Sequence, residues 1–182
     1  MSQPNGKLHE LEEVLVGRER LAEHVRLLGQ QISAAYAGQE LVLVCILKGG
    51  SVFLADLMRA IEFPVEIDFM SVSSYGHGSV SSGKITLLKD IDTDITGKHV
   101  LIVEDLVDTG QTLHYLKQLF ALREAASVAI TAILSKPSRR LVDLEPDFPA
   151  IEIPDAFVVG YGLDYAGQYR NLPDLWQVRM AE

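Results

Sequence analysis

The chain has 182 residues, 48% of them hydrophobic and 23% charged, which fits a single globular domain over residues 1–182 and excludes an intrinsically disordered chain. Its single cysteine, Cys45, excludes a disulfide-stapled scaffold. The net charge of −9 argues against nucleic acid and anionic membranes as partners, since both are polyanions. Residues 1–13 lack the pattern of a signal peptide, and no apolar run approaches the ~18 residues of a membrane span, so a cytoplasmic protein is expected.

The first half of the chain alternates between helical and extended patterns. Residues 18–37 carry apolar side chains at spacings of three and four, which predicts a helix that stops at Gly38. The continuous apolar run 41–47 is typical of a central parallel strand, buried on both faces. A short helix is predicted over 53–61, and the mostly alternating pattern over 65–72 predicts another strand.

The polar stretch 73–84 is rich in Gly and Ser and too poor in apolar residues to pack, so it is predicted to be a mobile active-site loop. Further on, the same patterns predict strands over 85–89, 99–103, 127–134 and 157–161, a helix over 113–122, and irregular chain around Pro146, Pro149 and Pro154. Alternating strands and helices favour an α/β domain with a mostly parallel central sheet and helices on both faces.

Polar residues follow the predicted strands, at the edge where open parallel sheets bind their ligands. They are Lys48-Gly49-Gly50, Ser73-Ser74-Tyr75, Glu104-Asp105, Asp108 through Thr112, Lys136, Asp164 and Arg170. Carboxylates bind magnesium or ribose hydroxyls, amides at a helix start bind phosphate, and Lys or Arg neutralises remaining negative charge. The mixture therefore predicts a phosphorylated, metal-bound ligand.

The segment from Asp108 to Thr112 links a predicted strand to a predicted helix. Its hydroxyls and backbone amides would lie at the helix N-terminus, where the helix dipole favours an anion. Ordinary helix capping by Asp or Thr would explain the same residues. The preceding pair Glu104-Asp105 favours a ligand site, because adjacent carboxylates repel each other and a structural turn needs only one of them.

The stretch Val100-Leu101-Ile102-Val103-Glu104-Asp105-Leu106-Val107-Asp108-Thr109-Gly110-Gln111-Thr112 resembles the phosphoribosyl diphosphate (PRPP) signature of type I phosphoribosyltransferases. Four further motifs resemble the 6-oxopurine branch of that family, the hypoxanthine-guanine phosphoribosyltransferases of bacterial type: Leu47-Lys48-Gly49-Gly50, Ser73-Ser74-Tyr75, Ser135-Lys136-Pro137 and Phe157 through Tyr165. The resemblance extends over residues 10–180. It implies the type I fold, with a small hood formed by the N- and C-terminal segments.

The resemblance also implies a reaction in which a 6-oxopurine, hypoxanthine or guanine, attacks C1 of PRPP and pyrophosphate leaves. Glu104 and Asp105 would hold the ribose hydroxyls with Mg²⁺ nearby, and Asp108 would act as general acid/base at N7 of the purine. The loop that would bind the 5-phosphate consists of Thr109, Gly110, Gln111 and Thr112.

The remaining roles implied by the resemblance concern pyrophosphate, loop closure and the base. Pyrophosphate would be bound by Lys48, Gly49 and Arg170, after a peptide bond that is often cis in this family, and Ser73, Ser74 and Tyr75 would belong to the loop that closes over the site. Lys136 would donate to O6 of the base, which a 6-amino group would not accept. Phe157 would stack on the purine, and the backbone at Val158 and Asp164 would also contact the base. Asp164 would in addition bind a second Mg²⁺ through water.

Each motif alone also has an ordinary structural explanation. Glu104, Asp105, Lys48, Asp164 and Arg170 would then be surface charges, Lys136 would mark a strand end, and Phe157 would be a core aromatic. No G-x-x-x-x-G-K-[ST] motif is present, which excludes a P-loop hydrolase. A PRPP-binding regulatory protein of the same fold stays open as the alternative to an enzyme. A homodimer or homotetramer is expected from the resemblance.

Overall fold

A computed structural model describes residues 10–74 and 85–179 of the chain. These residues form a central sheet, a small terminal sheet and three helices. In chain order the elements are β1 (Glu10–Val16), α1 (Arg18–Ala35), β2 (Leu41–Leu47), α2 (Ser51–Ala60), β3 (Glu66–Ser74), β4 (Ile85–Lys89), β5 (His99–Val107), α3 (Gln111–Leu122), β6 (Ser127–Ser135), a 3₁₀ turn (Pro137–Arg139), β7 (Ile151–Glu152), β8 (Val158–Val159) and β9 (Leu175–Arg179).

The central sheet has six strands in the order β4-β3-β2-β5-β6-β7. Every neighbouring pair is parallel except β3 and β4, which are antiparallel. The prediction of a mostly parallel sheet is therefore confirmed. Strands β2 and β5 lie side by side at its centre, which explains why both have almost continuously apolar sequences.

Two hydrophobic cores lie on opposite faces of the central sheet. Side chains such as Leu43 and Leu101 face α1 and α2, whereas their neighbours Val42 and Val100 face α3. This alternation follows from the two-residue period of a strand. The apolar residues on which the prediction of α1 rested are buried in its contact with the core, namely Leu21, Val25, Leu28 and Ile32.

The small sheet brings the two ends of the described chain together. Strand β9 lies between β1 and β8 and is antiparallel to both. The guanidinium of Arg18, at the start of α1, binds the carboxylate of Asp174 just before β9, with Nη2 2.7 Å from Oδ2. This sheet is the hood that the family resemblance implies. Its strands β1 and β9, and the edge strand β7, were not predicted from the sequence.

Several predicted boundaries differ from the structure. Strand β5 was expected to end at residue 103 but continues to Val107, so Glu104 and Asp105 lie inside a strand and not behind it. Strand β3 includes Ser73 and Ser74, where the loop was expected to begin; Tyr75 and the rest of that loop lie outside the described residues.

The strand expected over 157–161 shortens to β8 and belongs to the hood sheet, not to the central one. Helices α1 and α2 begin and end within two residues of the predicted limits, and α3 begins two residues earlier because Gly110 starts it. Within residues 10–74 and 85–179, no helix has both the length and the apolar composition needed to cross a bilayer.

Candidate active site

Two neighbouring cavities open at the carboxyl ends of the parallel strands. The larger has a volume of about 410 Å³, and its lining includes Asp105, Asp108, Lys136, Phe157 and Asp164. The smaller, of about 200 Å³, is lined mainly by the end of β5 and the start of α3, with one residue each from β2 and β3: Ile46, Val72, Glu104, Leu106, Asp108, Thr109, Gly110, Thr112 and Leu113. Asp108 lines both cavities, so ligands in the two would meet beside its carboxylate.

Glu104 and Asp105 form a pair of partly buried carboxylates within β5. Glu104 Oε1 accepts from the backbone N–H of Asp105 at 3.1 Å, and Asp105 Oδ1 accepts from that of Leu106 at 2.7 Å. Burial, reinforced by the charge of Asp105, raises the pKa of the Glu104 carboxyl well above its usual value. Burial also raises the pKa of Asp105. The pair is therefore energetically unfavourable unless a cation or a hydrogen-bond donor binds to it.

The turn after β2 packs closely against this pair. The peptide bond between Leu47 and Lys48 is cis, and Gly49, two residues after Leu47, is buried. A Cβ at Gly49 would lie 1.4 Å from Asp105 Oδ2, and a Cβ at Gly162, whose φ is +100°, would lie 2.2 Å from the carbonyl oxygen of Gly49. Glycine at residue 49 makes room for the Asp105 carboxylate, and glycine at residue 162 allows its backbone to approach that of Gly49.

Arg170 connects the hood to this turn. Its Nη1 donates to the carbonyl oxygen of Gly162 at 2.6 Å, and its Nη2 lies 2.6 Å from Asp164 Oδ1. Because Gly162 contacts Gly49, the structure places Arg170 near the turn that contains Lys48. Lys48 itself is exposed.

The loop between β5 and α3 has the shape of an anion site. Gly110 begins the helix with φ of +81°, and its carbonyl oxygen accepts the N–H of His114 at 2.9 Å. Gln111 and Thr112 are the first two residues of α3, where backbone N–H groups have no partner within the helix. These groups and the helix dipole together favour a bound phosphate.

Lys136 has an unusually buried ammonium group. The residue is 8% exposed, and its Nζ donates to the carbonyl oxygen of Ala156 at 2.7 Å and lies 3.8 Å from Asp155 Oδ1. Its backbone N–H donates to the carbonyl oxygen of Val107 at 2.9 Å, which ties the end of β6 to the end of β5. An ammonium has three protons, so Lys136 keeps donor capacity for a group in the larger cavity.

Two charged residues of the larger cavity, Arg139 and Asp155, were missed in the sequence analysis. Arg139 Nε lies 3.2 Å from Asp108 Oδ1, and Arg139 Nη1 lies 3.7 Å from Asp155 Oδ2. The 3₁₀ turn Pro137–Arg139 brings Arg139 to the same side as Lys136, because residues three apart are aligned in such a turn. The Lys-Pro pair was the signal, since proline often begins a helical turn.

Phe157 is not a core aromatic. It is 40% exposed, and its ring meets that of Tyr165 edge to face with 5.6 Å between centroids. The next residue, Val158, is buried in β8, and both residues line the larger cavity. An exposed ring at a cavity wall presents a flat apolar surface to a ligand.

The predicted site residues are thus brought together at one edge, with some exceptions. Lys48, Gly49, Gln111 and Arg170 line neither of the two cavities. Asp164 does not join Glu104 and Asp105: among the residues that the structure describes, no three His, Cys, Asp or Glu side chains are close enough to hold one metal ion.

Comparison with known proteins gives consistent results. The model of the phosphoribosyl transferase domain matches residues 12–166. The hypoxanthine-guanine phosphoribosyltransferase of Bacillus subtilis (strain 168) is 47% identical over 165 residues, which cover 91% of this chain and 92% of that protein. The corresponding protein of Streptococcus thermophilus (strain CNRZ 1066) is 46% identical over 164 residues, covering 90% and 91% of the two chains.

A crystal structure of a hypoxanthine phosphoribosyltransferase from Staphylococcus aureus has the same fold. It superposes with a TM-score of 0.90 at 42% identity, covering 97% of each chain. Both the resemblance and the fold expected from it are therefore confirmed. This chain belongs to the phosphoribosyl transferase domain family.

Proposed function

We propose that this chain transfers the 5-phosphoribosyl group of PRPP to N9 of a 6-oxopurine base, hypoxanthine and also guanine, giving IMP or GMP and pyrophosphate in purine salvage. The observation that carries the proposal is the larger cavity, whose wall combines the Asp108 carboxylate, the Lys136 ammonium and the exposed Phe157 ring. The relatives are named as enzymes of this activity, which favours catalysis over the PRPP-binding regulator that the sequence left open.

The purine would bind between Phe157 and Lys136. The ring of Phe157 would stack on the base, and the buried ammonium of Lys136 would donate to O6. Because the ammonium has no lone pair, it would not bind the 6-amino group of adenine. Backbone groups beside Val158 would complete the contacts to the base.

PRPP would occupy the smaller cavity and the edge of the larger one. Its 5-phosphate would bind the N–H and hydroxyl groups of the loop Thr109, Gly110, Gln111 and Thr112, at the N-terminus of α3. Glu104 and Asp105 would accept hydrogen bonds from the ribose hydroxyls. Pyrophosphate would lie towards Lys48, the backbone of Gly49, and Arg170, which supply positive charge and N–H donors.

Asp108 would act on the proton at N7. As N9 of the base forms its bond to C1, the bond from C1 to pyrophosphate breaks and its electron pair leaves with the pyrophosphate oxygen. The N7–H becomes more acidic, and the carboxylate of Asp108 takes that proton. Arg139, 3.2 Å away, holds one oxygen of this carboxylate and leaves the other for the base.

We propose Mg²⁺ as the cofactor. Glu104 and Asp105 offer the hard oxygen donors that Mg²⁺ prefers, and a divalent cation would offset the cost of their burial and mutual repulsion. Asp164 would hold a second ion through water. When bound, Mg²⁺ would neutralise negative charge on the leaving pyrophosphate.

Pyrophosphate release with PRPP and Mg²⁺ tests this function, with hypoxanthine, guanine, xanthine, adenine and uracil compared in parallel. We expect turnover with hypoxanthine and guanine, none with adenine or uracil, and loss of turnover on addition of a chelator. Asp108→Asn should lower kcat by about 10²- to 10⁴-fold, the usual contribution of a general base. PRPP binding by that variant, measured by calorimetry, should persist.

Two results would contradict the proposal. Turnover with adenine equal to that with hypoxanthine would contradict the proposal that Lys136 selects 6-oxopurines. Absence of turnover with every base, while PRPP still binds, would instead support the regulatory alternative. The expected homodimer or homotetramer is tested separately by light scattering after size exclusion, where a stable monomer would contradict it.

A further inference from the structure

A second segment of chain packs against the loop 108–112 from behind. The backbone N–H of Leu141 donates to the carbonyl oxygen of Thr109 at 3.0 Å. A Cβ at Gly110 would lie 3.0 Å from Val142 Cγ2, so this segment contacts the loop directly. We call residues 140–142 the backing segment.

The side chain of Arg140 provides most of the polar contacts of the backing segment. It is 10% exposed. Its Nη1 donates to the carbonyl oxygens of Val107 at 2.7 Å and Asp108 at 2.5 Å, and its Nη2 donates to Ser135 Oγ at 2.7 Å. Its Nε donates to the carbonyl oxygen of Leu144 at 2.9 Å. A single guanidinium therefore joins the ends of β5 and β6 to the start of the loop.

These contacts fix the direction of three successive peptide groups. The carbonyl oxygens of Val107, Asp108 and Thr109 all accept donors of the backing segment. In a trans peptide the N–H of the next residue points opposite to the carbonyl. The N–H groups of Asp108, Thr109 and Gly110 therefore point away from the backing segment. Thr109 and Gly110 line the smaller cavity, which is where an anion would meet such N–H groups.

We propose that Arg140 is a positioning residue that holds the loop 108–112 in its phosphate-binding conformation. This inference rests on the proposed function, in which that loop binds the 5-phosphate. Arg140 would not touch the ligand; it would act by holding the carbonyl oxygen of Asp108, which would otherwise be free to turn toward the phosphate and repel it. Arginine suits this role because its rigid fork donates to several acceptors at once, whereas lysine provides one flexible ammonium.

Binding of two matched ligands, IMP and inosine, separates this role from a general structural one. The two differ only in the 5-phosphate, so the ratio of their Kd values, measured by calorimetry, reports on the phosphate loop. In Arg140→Lys we expect IMP affinity to fall by about tenfold or more, since charge-assisted hydrogen bonds are lost. Inosine affinity should stay unchanged. In turnover assays the KM for PRPP should rise while that for hypoxanthine does not.

Two further variants make the test decisive. Leu141→Pro removes the N–H that donates to the carbonyl oxygen of Thr109. The fold should accept proline there, because Leu141 is 68% exposed and Arg140 already has the extended backbone that precedes a proline. We expect the same selective loss of IMP affinity. Leu141→Pro also replaces Arg140→Lys if that variant does not fold. Arg26→Lys is the matched control, because Arg26 is 53% exposed and pairs with Glu23 on the same helix; it should bind both ligands normally.

The outcomes distinguish the inference from the proposed function. Equal weakening of IMP and inosine, or none, in folded Arg140→Lys would overturn the positioning role and leave the function intact. A wild-type protein that binds IMP no better than inosine would overturn both. A selective loss of IMP affinity would support the positioning role even if the wild-type protein turned over no base.

Discussion

The carboxylate of Asp105 occupies the space beside the Cα of Gly49, so that a Cβ at residue 49 would lie only 1.4 Å from Asp105 Oδ2. No side chain fits there while Asp105 keeps its position. The turn after β2 and the acidic pair of β5 therefore depend on each other for their positions. In the proposed site they contact pyrophosphate and ribose, the two groups that separate during the reaction.

Gly49→Ala tests this dependence. We expect the methyl group to displace the Asp105 carboxylate and lower kcat/KM for PRPP by about 100-fold, the cost of a misplaced contact of roughly an ångström. The matched control is Gly17→Ala, because the nearest atom to a Cβ there is Glu19 Oε2 at an ordinary 3.5 Å. Steady-state kinetics of both variants is the measurement. An alanine at residue 49 that leaves kcat/KM unchanged would show that Asp105 can move without consequence.

Lys136→Gln should weaken binding of the base and leave binding of PRPP unchanged. Glutamine can still donate to the carbonyl oxygen of Ala156, but it lacks the charge and the third donor that we assign to O6. We expect the KM for hypoxanthine to rise by about tenfold, the value of one lost charge-assisted hydrogen bond, with the KM for PRPP unchanged.

The control for this substitution is Lys117→Gln, whose side chain is 42% exposed and pairs with Asp147 on the surface. Its kinetic constants should match those of the wild-type protein. A rise in both KM values for Lys136→Gln would indicate instead that Lys136 mainly holds the ends of β5 and β6 together.

Glu104→Gln should separate stability from activity. The Glu104 carboxylate is partly buried beside Asp105, and burial and repulsion raise its pKa, so ionised Glu104 destabilises the ligand-free fold at neutral pH. Removing the charge should raise Tm by about 2–4 °C in the absence of Mg²⁺, which corresponds to ~1 kcal/mol for a protein of this size. Activity should fall, because a ligand of Mg²⁺ or ribose is weakened. Calorimetric scans beside kinetics would measure both, and a lower Tm would contradict the argument.

Asp68 gives the fold a specific acid sensitivity. Burial on its own would raise the pKa of Asp68, but the N–H donors of Thr93, Phe69 and Asp92, at 2.6 to 2.8 Å, outweigh it and hold the pKa below the usual value. Lys89 Nζ lies 3.8 Å from Asp68 Oδ1. Since the folded-state pKa is lowered, this stabilisation is complete above the ordinary Asp pKa of ~3.9 and is lost as the pH falls through the lower folded-state value.

Asp68→Asn should therefore reduce the free energy of unfolding by about 2 kcal/mol at pH 7, the range for hydrogen bonds to a buried charge. The difference from the wild-type protein should shrink as the pH falls below ~3.9. Urea unfolding at several pH values measures it. Asp92→Asn is the control, because that side chain is 93% exposed. A difference that stays constant between pH 7 and pH 3 would exclude a role for the Asp68 charge.

The parts of the fold that depend on local sequence were predictable. Strand β2 and helix α1 have apolar patterns that are set by burial alone, and both lie where these patterns placed them. Strand β1 was missed because its sequence, Glu-Leu-Glu-Glu-Val-Leu-Val, neither alternates strictly nor stays apolar. It becomes a strand through pairing with β9, more than 150 residues away, and no local pattern reports such a partner.

Prediction of the site was limited in the same way, to residues that are close together in the sequence. The acidic pair and the Asp108 loop were identifiable because a motif keeps them adjacent in sequence. Arg139 and Arg140 were not, since their importance comes from a 3₁₀ turn that folds back onto β5 and brings them to Asp108 and Val107. The expected end of β5 at residue 103 was wrong for a related reason. Pairing with β6 through Ser135 keeps polar residues in the strand.

The extension of β5 to Val107 also determines which changes of sequence length this enzyme can tolerate. One continuous strand carries Glu104 and Asp105, and Asp108 follows directly after it. Side chains alternate between the two faces of a strand, so inserting or deleting one residue here would exchange the faces of everything beyond it. Length variation should therefore be tolerated between the elements but not along this strand, and a single-codon deletion between 104 and 108 should be more damaging than most substitutions there.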